Sequence, residues 1–209
     1  MTKPAIILAL VAITLIPLGC GPASRTSQTL AVSTAFLTAL ELFSDAKDVY
    51  AESVREAVGP TVEELSDPSK SALTGVAASW EIRWIEAEKK ALKLQERFNE
   101  VTSAAEPYFD KLNEISSSIS DPRLLEAERQ RNASAREKWD DAYKDAFQTM
   151  KKLERLRQKG HDIHSVLLGA AMRDQIGGYV RELKAISHDA DQLVKELDRL
   201  VTHGQELLT

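Results

Sequence analysis

Only one cysteine, Cys20, occurs in 209 residues, so no disulfide can close within the chain and the fold must be held by packing. Aromatic side chains are scarce, at 6% of the chain, and the 9 glycines and 7 prolines gather at a handful of sites. No stretch sustains the apolar/polar alternation of a half-buried strand, which removes sheets from the expected fold. A basic excess is also missing: 27 Lys and Arg stand against 32 Asp and Glu, so no cationic stripe is offered to a nucleic acid. The chain has no GxxxxGK phosphate loop, no GxSxG nucleophile turn and no EF-hand loop. None of its 4 histidines follows a glutamate at the three-residue spacing of di-iron bundles. Carboxylates are plentiful, as on any solvated helix, so pairing two of them as acid and base would be arbitrary. The expectation is a protein that is not an enzyme and carries no cofactor.

What is present starts with Met1-Thr2-Lys3-Pro4, an apolar run from Ala5 to Leu18, and then Gly19-Cys20-Gly21. One cation, a short apolar run and a small residue before the cut make the layout of a signal peptide, here residues 1–19. The run falls short of the roughly 20 apolar residues of a membrane-spanning helix. A lone cysteine leaves four roles open: nucleophile, metal ligand, intermolecular disulfide or lipid attachment.

Leu18-Gly19-Cys20 resembles the lipobox of bacterial lipoproteins. That resemblance implies cleavage before Cys20, which becomes an N-terminus carrying a diacylglycerol thioether and an amide-linked palmitate-type chain. It implies a body held in the periplasm by membrane lipid. Aspartate after the cysteine often signals inner-membrane retention in enteric bacteria; Gly21 stands there instead, which favours the outer membrane. Residues 20–29, small and polar, read as the lipidated tether. Loss of residues 1–19 removes a single cation, Lys3, and leaves a mature charge of −6.

Residues 30–209 read as a single elongated helical domain. Stepping alternately by four and three from Leu73 gives Ala77, Trp80, Trp84, Ala87, Ala91, Leu94, Phe98, Val101, Ala105, Tyr108, Leu112, Ile115 and Ile119, every one apolar or aromatic. A stripe repeating every 3.5 residues over more than six heptads is a coiled-coil seam. Pro107 lies inside it, and the unbroken phase predicts one bent helix, kinked near Ala104, over two separate ones. Trp80 and Trp84 are read as core residues ahead of an aromatic recognition patch.

A second seam runs Ile176, Tyr179, Leu183, Ile186, Ala190, Leu193, Leu197, Leu200, Gly204 and Leu207. Between the two, a weaker stripe runs Leu125, Ala135, Trp139, Ala142, Ala146, Leu153, Leu156, Ile163 and Leu167, with Glu128, Asn132, Thr149 and Gly160 in the same phase. Asp121-Pro122 is a good start for that helix. Its end is either Gly160, preceded by Lys and Arg as at a C-terminal cap, or a turn near Gly169, and the continuing phase favours the later turn. Leu30 to Val58 forms another helix through Phe36, Leu37, Leu40, Phe43, Ala46, Val49, Tyr50 and Val54, ended by the two prolines of Gly59–Ser69. The expected architecture is all-α: an elongated antiparallel up-down bundle or coiled coil, with helices near 30–58, 68–119, 122–168 and 172–207. The first helix is expected to lie against the base, near the tether.

Two stretches, Glu182–Leu197 and Ala87–Leu112 with Ala105, Glu106, Phe109 and Asp110, resemble an uncharacterised family of exported bacterial helical proteins (domain of unknown function 2959). The resemblance spans Thr61 to Thr209 and implies a long-helix fold in the cell envelope, with no activity.

One candidate for chemistry remains. His161 and His164, in "HDIH", share a helix face at the spacing that can bind Zn or Ni. No third ligand is evident nearby, and they are the only candidate pair in a chain expected to hold no metal. Three readings follow. The first is a lipid-anchored envelope protein whose coiled-coil body is a spacer, scaffold or protein-binding surface, its partner unknown. The second is a self-assembling structural protein, a homo-oligomer through a residual seam. The third is a metal-binding helical protein.

Overall fold

The computed structural model describes residues 22–67, 72–173 and 179–208. Long amphipathic stretches cannot bury their stripes alone, and four of them solve that jointly. They are α1 (Pro22–Ser66), α2 (Leu73–Ser117), α3 (Pro122–Arg173) and α4 (Tyr179–Glu206). Helix α1 packs on α2, α2 on α3, α3 on α4, and α4 closes the ring on α1. Each neighbour is antiparallel. Arg83 near the start of α2 reaches Glu64 near the end of α1, Arg136 of α3 meets Glu106 of α2, Lys152 of α3 meets Glu196 of α4, and Arg55 of α1 meets Asp191 of α4. The protein is an all-α, up-down-up-down four-helix bundle, without strands among the described residues. The 45 residues of α1 make a rod of about 70 Å.

The seams are the core. From Ala77 through Tyr108 every predicted α2 position is buried, as are Leu183 to Leu200 on α4. On α3 the polar residues in phase, Asn132, Thr149 and Gly160, are buried with the apolar ones. Few as they are, the aromatics concentrate here. Phe36 of α1 meets Tyr108 of α2 at 5.2 Å and the edge of Trp139 of α3 at 5.1 Å, so one ring ties three helices.

Several boundaries differ from the sequence reading. Helix α1 does not stop at Val58 but continues through Gly59-Pro60 to Ser66. An interior proline costs about 3 kcal/mol, and tertiary contacts offset that cost. Thr61 is fully buried, donates to the Ala57 carbonyl and accepts from Arg83, while Leu65 is buried beyond it. At its other end α1 begins at Pro22, so residues 22–29, expected to form a tether, belong to the helix. Nor is α1 an accessory laid on the base: it is a full wall of the bundle, packed on both α2 and α4.

Helix α2 starts at Leu73 after an extended Ala72, and its expected start at 68 lies outside the described residues. It runs unbroken across Pro107, one helix as the phase predicted. Its seam slips near the end. Ile115 is 40% exposed while Ser116 is buried, because Asn132 of α3 donates to the Leu112 carbonyl and Ser116 hydroxyl. An α-helix drifts about 20° per heptad against a 3.5-residue repeat, and by this point the polar neighbour has been brought inward. Helix α3 starts as expected, with Asp121 accepting from the Arg123 and Leu124 amides. It passes both proposed stops, Gly160 and Gly169, and ends at Arg173. Residues 172 and 173, assigned from sequence to the last helix, therefore belong to α3. The turn residues Gly177 and Gly178, and Ile176 of the seam, lie outside the described residues.

Candidate functional site

Cys20, the lipidation candidate, lies outside the described residues, two positions before α1 begins. No helix of the described residues is long and apolar enough to cross a membrane.

The histidine pair sits inside α3, not beside a turn. His161 Nε2 lies 2.8 Å from Glu88 Oε1 of α2, and the same oxygen is 3.5 Å from Arg157 Nη2. His164 projects one turn on, where its Nδ1 is buried without a hydrogen-bond partner. The two therefore do not converge with a third donor: among the described residues no group of three His, Cys, Asp or Glu side chains is placed to hold a metal ion. What the geometry provides here is a clasp between α2 and α3.

Beneath that clasp, Trp80 and Trp84 stack at 5.2 Å and are almost wholly buried, so they are core residues. Both indoles donate across to the backbone of α3, Trp80 to the Gly160 carbonyl at 3.0 Å and Trp84 to the Arg157 carbonyl at 3.3 Å. Gly160 is what admits them, since a β-carbon there would fall 1.8 Å from the Trp84 ring. The glycine that resembled a helix stop is the cradle of a tryptophan.

One site was missed by listing apolar residues alone. Lys47 of α1 is buried, and its ammonium lies 2.7 Å from both Asp48 and Asp198 of α4. Burial pulls its pKa down, but the hydrogen bonds and charges of Asp198 and Asp48 outweigh that and hold it above the usual 10.5. The stability it contributes is thus present at neutral pH and lost only as pH rises through the elevated folded value, above 10.5. The signal was available: stepping four and three from Phe36 gives Leu40, Phe43, Lys47, Tyr50, Val54, Ala57 and Thr61, so lysine stands in the seam. Replacing a buried ion pair by a well-packed apolar group is often neutral or stabilising by about 1–4 kcal/mol. Lys47→Met is therefore expected to leave the urea midpoint unchanged or raised, the exposed Asp48 and Asp198 turning to water. A clear drop would show that the ammonium itself holds α1 to α4.

Along the outside, charge pairs follow the α3–α4 seam. Glu196 accepts from Lys152 and Thr149, and chiefly the Lys152 hydrogen bond lowers its carboxyl below the ordinary range. Lys159 pairs with Asp189 and Arg199 with Asp145. Such exposed pairs set register more than stability. The same face holds a groove lined by Lys152, Arg155, Lys159, Asp189 and Glu196, an alternation of signs that selects no single ligand charge.

Exposed apolar side chains form the other notable surface. Ile82, Ile85 and Leu92 point outward from α2, and Met172 and Leu168 stand exposed near the end of α3. Single exposed residues of this kind are ordinary, but these share the half of the rod farthest from Pro22. Comparison with family models, with curated proteins and with solved structures finds no match to the chain.

Proposed function

We propose that this protein is a lipid-anchored envelope component, held through acylated Cys20, whose four-helix rod presents a protein-binding surface away from the membrane. The observation that carries the reading is the adjacency of anchor and body. Leu18-Gly19-Cys20 stands directly before a helix that is itself a wall of the bundle, so force or position at Cys20 is transmitted to the rod without an intervening domain. Two or more acyl chains give stable anchoring, at about 0.8 kcal/mol per buried methylene. A rod of about 70 Å then carries Ile82, Leu168 and Met172 to the far end. No constellation among the described residues calls for a chemical step, and the reading is of a spacer and binding surface in the periplasm, the outer membrane being favoured by Gly21.

The test has two arms in the native bacterium. Cys20→Ser should lose the acyl mass and move the protein from the membrane to the soluble fraction; retention in the membrane would refute the anchor. A photo-crosslinking residue at position 82 should capture a different protein. An adduct with a second copy would replace partner binding with self-assembly, and no adduct would leave the spacer role alone.

A further inference from the structure

We infer that copies of this protein stand side by side in a row, the acidic outer stripe of α1 in one copy docking on the basic outer stripe of α3 in the next. The inference takes from the anchoring proposed above only the shared orientation of the rods; both stripes belong to the folded body.

Acidic residues outnumber basic ones on α1, and on α3 the balance is reversed. The excess is not scattered. Glu41, Asp45, Asp48, Glu52, Glu56 and Glu63 are all exposed, and at 3.6 residues per turn they fall within an arc of about 80°. The stripe is about 33 Å long. Asp48 is answered by Lys47 and Glu52 by Arg55, whereas Glu41, Asp45, Glu56 and Glu63 enter no ion pair among the described residues. On α3, Lys144, Lys151, Lys152, Arg155 and Lys159 face outward over about 22 Å. Lys152 and Lys159 are held by carboxylates of α4 and Lys151 lies over the Phe147 ring. Lys144 and Arg155 have no carboxylate partner among the described residues.

The bundle sets these stripes back to back at one height. Helices α1 and α3 each pack on α2 and α4 but not on one another, so their outer faces point away from opposite sides of the rod. Both run antiparallel to α2 and hence parallel to each other. Arg55 and Lys159 pair with Asp191 and Asp189 of α4, which puts Glu56 level with Lys159. Lys47 and Lys152 pair with Asp198 and Glu196, which puts Asp48 level with Lys151.

A neighbour displaced sideways, with no rotation and no shift along the axis, therefore brings the two stripes together. Glu41 then faces Lys144, Asp48 faces Lys151, Glu52 faces Arg155 and Glu56 faces Lys159, because both helices repeat the same spacing. The acids that bracket the basic stripe, Glu137, Asp141 and Asp162, fall opposite Thr34, Thr38 and Gly59. Like charges thus do not oppose one another along the contact. Exposed Leu42 and Val49 flank the acidic stripe on the side that meets exposed Phe147. A second copy is the occupant that this match of charge, register and direction fits.

Exposed ion pairs contribute only about 0.2–1 kcal/mol each, too little to hold freely diffusing rods together at low concentration. Confinement through acylated Cys20 gives the rods one plane and one orientation, and so a high effective concentration. A contact between unlike faces on opposite sides does not close on itself, so it propagates as a row. The row leaves α2, with Ile82, and α4 open to other partners.

The test uses the full protein in the native bacterium. A chain carrying both Glu52→Cys and Arg155→Cys, treated in cells with a short bismaleimide, should give a ladder of dimers, trimers and longer products. Mass spectrometry should find this chain alone in them, and neither single variant should give them. In the double-cysteine background, Lys144→Glu with Lys151→Glu makes both faces acidic, and Glu41→Lys with Asp45→Lys and Glu56→Lys makes both basic. Either set expressed alone is expected to reduce the ladder roughly tenfold. Co-expression of the two should restore it, which also shows that both variants fold. No ladder from the double-cysteine chain, dimers joined through position 52 alone or 155 alone, or a ladder that survives charge reversal would each overturn the row. An intact ladder without acyl mass on Cys20 would overturn the anchor and keep the row; acyl mass without a ladder would do the opposite.

Discussion

Gly160→Ala is expected to destabilise the bundle by about 2 kcal/mol, although alanine is the better helix former. Alanine in place of an interior helical glycine gains about 1 kcal/mol, whereas overpacking a filled core costs about 1–3 kcal/mol and occasionally more. The second effect wins here because the new methyl would fall 1.8 Å from the Trp84 ring. That ring is buried, stacked on Trp80 and bonded to the backbone of α3, so it cannot swing away. Separating α2 from α3 would in turn stretch the Trp80 bond to the Gly160 carbonyl. Urea unfolding followed by tryptophan fluorescence measures the loss. In a Trp84→Leu background the same substitution should become neutral or favourable, since only the propensity gain remains. Equal stability of Gly160→Ala and the parent would disprove the cradle.

Phe36→Ala is the second large effect, a loss of about 3–5 kcal/mol, the range for deleting a buried aromatic ring. Phe36 is wholly buried and touches Tyr108 and Trp139 on two other helices, so its removal opens a cavity that three elements share. The form of the loss matters as much as its size. If α1 is a wall of the core, unfolding remains one cooperative transition shifted to lower denaturant. Were α1 an accessory, hydrogen exchange in the variant would quicken within residues 22–66 alone, with α2, α3 and α4 still protected. That outcome would contradict the closed four-helix ring, and with it the proposed transmission from Cys20 to the body.

Much of the fold was legible because its signal is local and repeats. A 3.5-residue stripe identifies the buried face of α2 or α4 whatever it packs against, since each turn places the same face inward. Asp121-Pro122 marks a helix start by the same locality, its carboxylate accepting from amides two and three residues on. The site candidates were less legible. His161 and His164 share a face by spacing, but whether a third donor meets them depends on α2, which supplies Glu88 to His161 and nothing comparable to His164 Nδ1.

By itself the sequence determined the helical class, the phase of each stripe, the antiparallel order implied by short connections, and the lone cysteine ahead of the first helix. These depend on periodicity and chain order alone. Only the tertiary structure decided that Pro60 does not end α1, that Gly160 is a cradle and not a cap, that Lys47 belongs to the core, and that Ile115 faces water while Ser116 does not. In each case the deciding atoms come from a distant part of the chain: Arg83 for Thr61, Trp84 for Gly160, Asp198 for Lys47 and Asn132 for Ser116. A local preference of 1–3 kcal/mol yields when packing, hydrogen bonds and charge from a neighbouring helix together exceed it.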